Sequence, residues 1–390
     1  MIKKFGVRNF SSIKSGIEIN FEFDGHVPEA ISQNQAVTSV LGIKGGNGSG
    51  KTNIMKALSF LKYFCSTSAD SEMSNSIPFK TFSNNSEPTE FYIDFEVNGD
   101  KYSYELELTT ERVLREEFFR TRERKTVILK RQGDIIEQAV AELKELESVQ
   151  LRSDASIISL YTKYRFKSSM ADMVNIWEFF RGMITNVNNA GYVEVNFEPQ
   201  LLSKMYLNDD MLFGFIKDVV KIADESVKDI EIKEAQNEKG EKIYFPVFCH
   251  ENVSGNFYLS LAEESSGTRR LFQRMVFYWL TLKAGGLLIM DEFDIHLHSM
   301  VLPKILALFL DPNINRKGAQ FVFTSHNTEI IDHLGKYRTI LVNKEEGETY
   351  CYRLDEIPGS MIRNDRTIIP IYLSGKIGGV PSNLADSEKV

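Results

Sequence analysis

The residues with the clearest chemistry in this 390-residue chain are consecutive: Gly45-Gly46-Asn47-Gly48-Ser49-Gly50-Lys51-Thr52. They fit G-x-x-x-x-G-K-[ST], a loop that wraps a polyphosphate. Glycines let successive N–H groups turn inward without a side-chain clash. In such a loop Lys51 reaches the outer phosphates of a nucleoside triphosphate and the Thr52 hydroxyl ligates Mg²⁺. Gly45, Asn47, Gly48, Ser49, Gly50 and Asn53 complete the cradle. The helix that begins here points its positive end at the same anion.

Three later stretches could complete that chemistry. Leu287-Leu288-Ile289-Met290-Asp291-Glu292 reads as a buried strand ending in two acids, the form of a Walker B motif. Asp291 is placed to hold Mg²⁺, mostly through water, and Glu292 to polarise an attacking water. Phe321-Val322-Phe323-Thr324-Ser325-His326 reads as another buried strand, ending in a histidine. Parallel neighbours would deliver Asp291, Glu292 and His326 to one sheet edge, where ligands sit in open α/β sheets. Glu264-Ser265-Ser266-Gly267-Thr268 opens an amphipathic helix with Leu271, Met275, Tyr278 and Leu282 on one face. Ser265, Ser266 and Gly267 could bind an anion at that helix start. The plainer reading is an ordinary N-cap.

The elements that must position these residues are legible as periodicities. Val37 to Ile43 reads as a strand before the loop, and Ile54, Leu58, Leu61 and Phe64 recur at helical spacing after it. Strands alternate at Ile17 to Phe23, Phe91 to Val97 and Tyr102 to Leu108, with an Asn98-Gly99 hairpin signal between the last two. Val113 to Arg120 and Thr126 to Lys130 continue a meander, an antiparallel sheet appended to the P-loop core. Ile135 to Leu146 reads as an amphipathic helix opening a helical insertion, with further apolar faces at Val174 to Phe180 and Met211 to Ile216. No heptad pattern is sustained, so no long coiled coil is expected. The expected fold is α/β, divided into an N-terminal ATPase lobe over 1–134, a helical insertion over 135–229 and a C-terminal lobe over 230–390.

Composition narrows the setting. No apolar run approaches the length of a membrane span, and polar residues break the N-terminus too early for a signal peptide. Cys65, Cys249 and Cys351 lie far apart, against zinc or a disulfide framework and for the cytoplasm. A net charge of −8 gives no global pull toward nucleic acid. A local patch could: Arg120, Arg122 and Arg124 alternate along a strand and would share a face suited to phosphates. The same charges would also guard an edge strand against aggregation.

The order of motifs resembles an ABC-type ATPase, nearer the SMC/RecF/OLD branch than the transporters. Asn9-Phe10-Ser11-Ser12 resembles that branch's opening, and Ser265-Ser266-Gly267-Thr268 sits where a degenerate ABC signature would be. Asp291-Glu292-Phe293-Asp294-Ile295-His296-Leu297-His298 is similar to a segment of OLD-like ATPases, with Ser299 in place of the usual Pro. Thr324 to Asp332 and Tyr372 to Pro381 are similar to RloA- and AbiL-type ATPases of abortive-infection operons.

The resemblance implies ATP and Mg²⁺ as ligands and a homodimer or higher homo-oligomer with shared sites. Ser265 and Gly267 of one subunit would cap the γ-phosphate held by another. Glu292 is the implied general base and His326 the γ-phosphate sensor. The residue linking nucleotide to the helical lobe has no clear motif; Glu116 or Glu117 is the candidate, with Glu116 also a candidate metal ligand. The 64 residues after His326 are fewer than the roughly 100 of a small domain such as a Toprim nuclease. A separate effector, such as a Toprim-type nuclease, is therefore expected in an anti-phage system. The alternative is a DNA-repair ATPase of RecF or SMC type.

Overall fold

Two sequence periods become two kinds of sheet. The computed structural model describes residues 1–380 apart from Asn75, Asn196, His296 and Ser360. His296 of the Asp-Glu segment and Pro381 of the C-terminal segment lie outside the described residues.

The chain opens with β1 (Ile2–Arg8), β2 (Ile17–Asn20) and one helical turn, α1 (Glu29–Ser32). β3 (Val40–Gly45) leads through the glycine-rich loop into α2 (Lys51–Thr67). A meander follows: β4 (Thr89–Val97), β5 (Asp100–Leu108), β6 (Val113–Thr121), β7 (Lys125–Gln132) and β8 (Ile135–Ala139). Next come α3 (Ile157–Tyr161), α4 (Ala171–Arg181) and the short strands β9 (Ile184–Thr185), β10 (Val187–Asn188) and β11 (Gly191–Tyr192). Helices α5 (Pro199–Asn208) and α6 (Asp210–Ala223) precede a second meander, β12 (Val227–Gln236), β13 (Lys242–Asn252) and β14 (Gly255–Ser260). The remainder runs α7 (Ser266–Ala284), β15 (Leu287–Met290), α8 (Leu302–Leu310), β16 (Gln320–Thr324), α9 (Ile330–Leu334), β17 (Thr339–Glu345), β18 (Glu348–Arg353) and α10 (Ile369–Leu373).

The P-loop sheet has the order β18-β17-β3-β16-β15-β9. All neighbours are parallel except the β17–β18 pair at one edge. Its central strands are largely apolar, and almost wholly buried, because both faces are covered. Leu41, Ile43, Leu287, Ile289 and Val322 enter one core with α2 and the large meander. Val40, Leu288, Met290, Phe321 and Phe323 enter a second core with α6, α7 and α8.

The seven-stranded antiparallel sheet has the order β2-β1-β4-β5-β6-β7-β8. Its β4–β5 turn carries positive φ at both Asn98 (52°) and Gly99 (84°), the geometry that Asn-Gly favours. The architecture is the expected one: a P-loop α/β core, an antiparallel β-subdomain and an inserted helical lobe. α7, at 19 residues, is the longest helix among the described residues, so none forms a long coiled coil. No described helix is long and apolar enough to cross a membrane.

Two local expectations are corrected. Ile135–Ala139 is a strand, not the start of a helix, and only Ala141–Ser148 coils into a 3₁₀ segment. Gly133, at φ 55°, turns the chain back onto the open edge of β7, whose unpaired backbone groups capture it. Its apolar face was illusory: Ile135 is 68% exposed, while Leu143 and Leu146 alone are buried in the 3₁₀ segment. The 134/135 boundary thus falls at the β7–β8 turn, and 229/230 falls within β12.

The arginine stripe also dissolves. β6 ends at Thr121, so Arg122 and Arg124 lie in the following turn rather than on a strand face. Arg120 pairs with Asp172 at 2.7 Å, and Arg122 with Asp100 at 3.4 Å.

Candidate functional site

β3 ends where the glycine-rich loop begins, and α2 starts at Lys51. Gly50 adopts φ 111°, and a Cβ there would lie 2.2 Å from Thr349 Oγ1, so only glycine fits. Lys51 is buried and folds across the loop, its Nζ donating to the carbonyls of Gly45 (2.8 Å) and Gly46 (3.0 Å). Burial lowers its pKa, opposed by the carboxylates of Asp291, Glu292 and Asp294. The Ser49 hydroxyl is buried without a partner. An orphaned hydroxyl and a cation satisfied only by loop carbonyls suit a polyanion.

Asp291 sits at the end of β15, next to the loop. Its Oδ2 accepts from Thr52 Oγ1 at 2.8 Å and its Oδ1 from Thr324 Oγ1 at 2.6 Å. Adjacent oxygens of a Mg²⁺ octahedron lie about 2.9 Å apart, given Mg–O distances of 2.0–2.1 Å. The Thr52–Asp291 edge fits that ion. The backbone of Asp291 is held at both ends by Asn186: its N–H donates to Asn186 Oδ1 at 2.7 Å, and its carbonyl accepts from Asn186 Nδ2 at 2.9 Å.

Glu292 adopts φ 50°, uncommon for a residue with a side chain and typical of sites that over-determine the backbone. Its N–H donates to Thr324 Oγ1 at 2.8 Å, so one hydroxyl fixes both acids. Its Oε1 lies 3.5 Å from His326 Nε2, and both side chains remain partly open to solvent. Neither Asn186 nor Thr324 is a candidate site residue from the sequence. Thr324 stands in the sequence as the last strand residue before Ser325-His326 and the first of the segment similar to RloA- and AbiL-type ATPases, with no role of its own, and nothing local marks Asn186.

The His326 loop is gripped from both sides. Lys44 Nζ donates to the carbonyls of Ser325 and Asn327, each at 2.9 Å. Asp294 Oδ2 accepts from the N–H groups of His326 (3.0 Å) and Asn327 (2.8 Å). Burial lowers the Lys44 pKa to about 8, with Asp294 opposing. An unfolded lysine keeps its proton to a pKa near 10.4, so the unfolded state binds more protons in the interval between. Through this group, stability should rise as pH increases from about 8 to 10. Thermal unfolding at stepped pH should show that rise in the wild type and a flatter profile in Lys44→Met.

Asn53, expected in the cradle, donates Nδ2 to Ser12 Oγ at 2.7 Å. Ser12 is also 2.7 Å from Thr349 Oγ1, which donates to the Ser49 carbonyl at 2.8 Å. The N-terminal Asn-Phe-Ser-Ser segment therefore braces the loop from behind.

Glu116 is corrected. It is fully buried, with Oε1 accepting from Tyr104 (3.0 Å) and Ser156 (2.5 Å), and Oε2 from Arg131 Nη1 (3.0 Å) and Ile157 N–H (3.1 Å). No oxygen is left for a metal or a nucleotide. It is half of a structural ion pair. Removing one partner of such a pair strands the other's charge, at a cost of about 3–5 kcal/mol. Arg131→Ala should show a loss of that order in denaturant unfolding.

Ser265 is the N-cap of α7, its Oγ accepting from the Thr268 N–H at 3.1 Å. Ser265 and Ser266 are exposed. The fold thus brings together the loop, Asp291, Glu292 and His326. Among the described residues, no hydrogen bond or ion pair joins Ser265, Ser266 or Gly267 to residues 45–53 of the same chain.

No curated protein sequence matches the chain. Among solved structures, the SMC head domain from Thermotoga maritima is similar over 90% of this chain and 98% of its own, at 13% identity and a TM-score of 0.46. The loop, both acids and the strand-end histidine fall within, or just before the end of, the matched span, residues 40–332, and on that match the chain belongs to the family described as AAA domain, putative AbiEii toxin, Type IV TA system.

Proposed function

We propose that this protein is an ATPase that binds Mg²⁺-ATP at the glycine-rich loop and hydrolyses it at a site completed by a second copy of the chain. The hydrogen bond between Thr52 and Asp291 carries this reading, because it joins two motifs 239 residues apart at the oxygens a Mg²⁺ ion needs. Bound Mg²⁺ would neutralise phosphate charge. Lys51 would exchange the Gly45 and Gly46 carbonyls for phosphate oxygens, and Ser49 would gain the partner it lacks. Glu292 would take a proton from water, and His326, beside it, would sense the outermost phosphate. The exposed Ser265 and Ser266, with the half-buried Gly267, would cap that phosphate from the neighbouring subunit. That no hydrogen bond or ion pair among the described residues ties them to their own loop supports this arrangement.

In the cell we propose a cytoplasmic sensor or scaffold of a prokaryotic anti-phage, abortive-infection system that holds a separate effector, a nuclease in the first instance. Nucleic acid is left out of this reading because Arg120 and Arg122 are each paired with an acid. Two measurements test it. Purified protein should release phosphate from ATP in a Mg²⁺-dependent manner. A native pull-down of Glu292→Gln with ATP should co-purify an effector of nuclease type; a bare dimer carrying DNA would replace the defence reading with DNA repair.

A further inference from the structure

Behind the α7 N-terminus lies a closed ring of polar groups that the ATP site does not use. His250 on β13 is 5% exposed and Glu264 is 6% exposed, yet both are polar. His250 Nε2 is 2.6 Å from Glu264 Oε1, and its Nδ1 is 3.1 Å from Ser226 Oγ. The Ser226 hydroxyl donates to Asp224 Oδ1 at 2.6 Å, so its lone pair is what His250 meets. The Thr268 hydroxyl donates to the other oxygen, Asp224 Oδ2, at 2.7 Å. With that proton committed, the 2.9 Å contact between Ser265 and Thr268 has Ser265 donating. The ring therefore starts at Glu264 and ends at Ser265, its sequence neighbour. It passes through β13 and the C-terminal end of α6 on the way.

An ordinary N-cap needs only the Ser265 oxygen and one N–H. Here four further side chains, His250, Glu264, Ser226 and Asp224, are spent on the same few residues. Two of them, His250 and Glu264, are buried, where a polar side chain is tolerated only when hydrogen-bonded and where a satisfied network rigidifies the segment it holds. Phe257 stacks on the imidazole with ring centres 5.3 Å apart, which fixes the ring plane.

We infer that His250 is a positioning residue for Glu264 to Thr268, acting not on its own chain's ATP site but on the site it completes in a neighbour. Through Asp224 it also ties that segment to α6, so a shift of the helical lobe would be felt at Ser265. This rests on the shared-site reading, and the test separates the two.

The test uses full-length chains carrying different tags, co-expressed and purified through both tags. His250→Leu keeps bulk but ends the hydrogen bonds. Alone it should bind ATP as the wild type does and lose about tenfold or more of its turnover, the scale of one hydrogen bond to a charged group. Paired with Lys51→Ala, it should recover turnover, because one composite site then joins an intact loop to an intact capping segment. The control pair, Gly267→Asp with Lys51→Ala, should recover likewise. Recovery in the control pair alone would overturn the role of His250 and leave the shared site standing. Recovery in neither pair would overturn the shared site and this inference with it. Full turnover in His250→Leu alone would also overturn it. Should His250→Leu fail to fold, Ser226→Ala cuts the same ring at an exposed hydroxyl and takes its place with the same outcomes.

Discussion

Glu292→Gln should lower ATP turnover by about 10²–10⁴-fold, the usual contribution of a general base, while leaving ATP affinity near that of the wild type. The reason lies in the geometry around the residue. Its backbone is locked at φ 50° by the N–H bond to Thr324, a contact that the amide variant keeps. Its side chain is not needed for packing, since it stands partly open to solvent beside His326. Exchanging one oxygen for a nitrogen therefore removes basicity and little else. Binding depends on Lys51, Thr52 and the loop, which the substitution does not touch. Nucleotide titration followed by single-turnover phosphate release separates the two effects. A variant that binds ATP, turns over normally and shows no accumulation of an ATP-held oligomer would remove Glu292 from the mechanism.

Gly267→Asp should retain ATP binding and lose turnover by about 10²-fold or more, the scale seen when one donor to a developing charge is removed. Lys51→Ala should instead lose binding itself. The contrast follows from position. Lys51 lies within the loop, whereas Gly267 sits in the first turn of α7 and makes no hydrogen bond to residues 45–53. A carboxylate at that helix start would repel a phosphate brought by a neighbouring subunit, but would not disturb the chain's own loop. Isothermal titration for binding, and mass photometry with and without ATP for closure, give the two readouts. Normal hydrolysis by Gly267→Asp would show that the site is complete within one chain.

Much of the architecture was legible because it is encoded locally. The P-loop needs glycine at Gly48 and Gly50, where φ is 77° and 111°, and no distant residue is required to recognise that pattern. The Asn98-Gly99 turn, the alternating strands around it and the apolar runs of β15 and β16 are likewise properties of a few neighbouring residues. Asp291, Glu292 and His326 could be placed together because parallel strands end at a common edge.

What the chain alone could not show depends on partners far away in sequence. Glu116 looks available in any local reading. Only folding brings Arg131, Ser156 and Ile157 around it and consumes every oxygen. Asn186 holds Asp291 across 105 positions, and Lys44 grips the His326 loop across 281, and nothing local marks Asn186 or Lys44 for that role. Ile135 to Ala139 has helical periodicity, yet the exposed edge of β7 supplies a row of hydrogen bonds that local preference cannot outweigh. Composition and spacing determined that this protein would build a nucleotide loop with two acids and a histidine at one sheet edge. Tertiary structure decided which charges stay free to act there, because burial and pairing are set by the neighbours that folding brings.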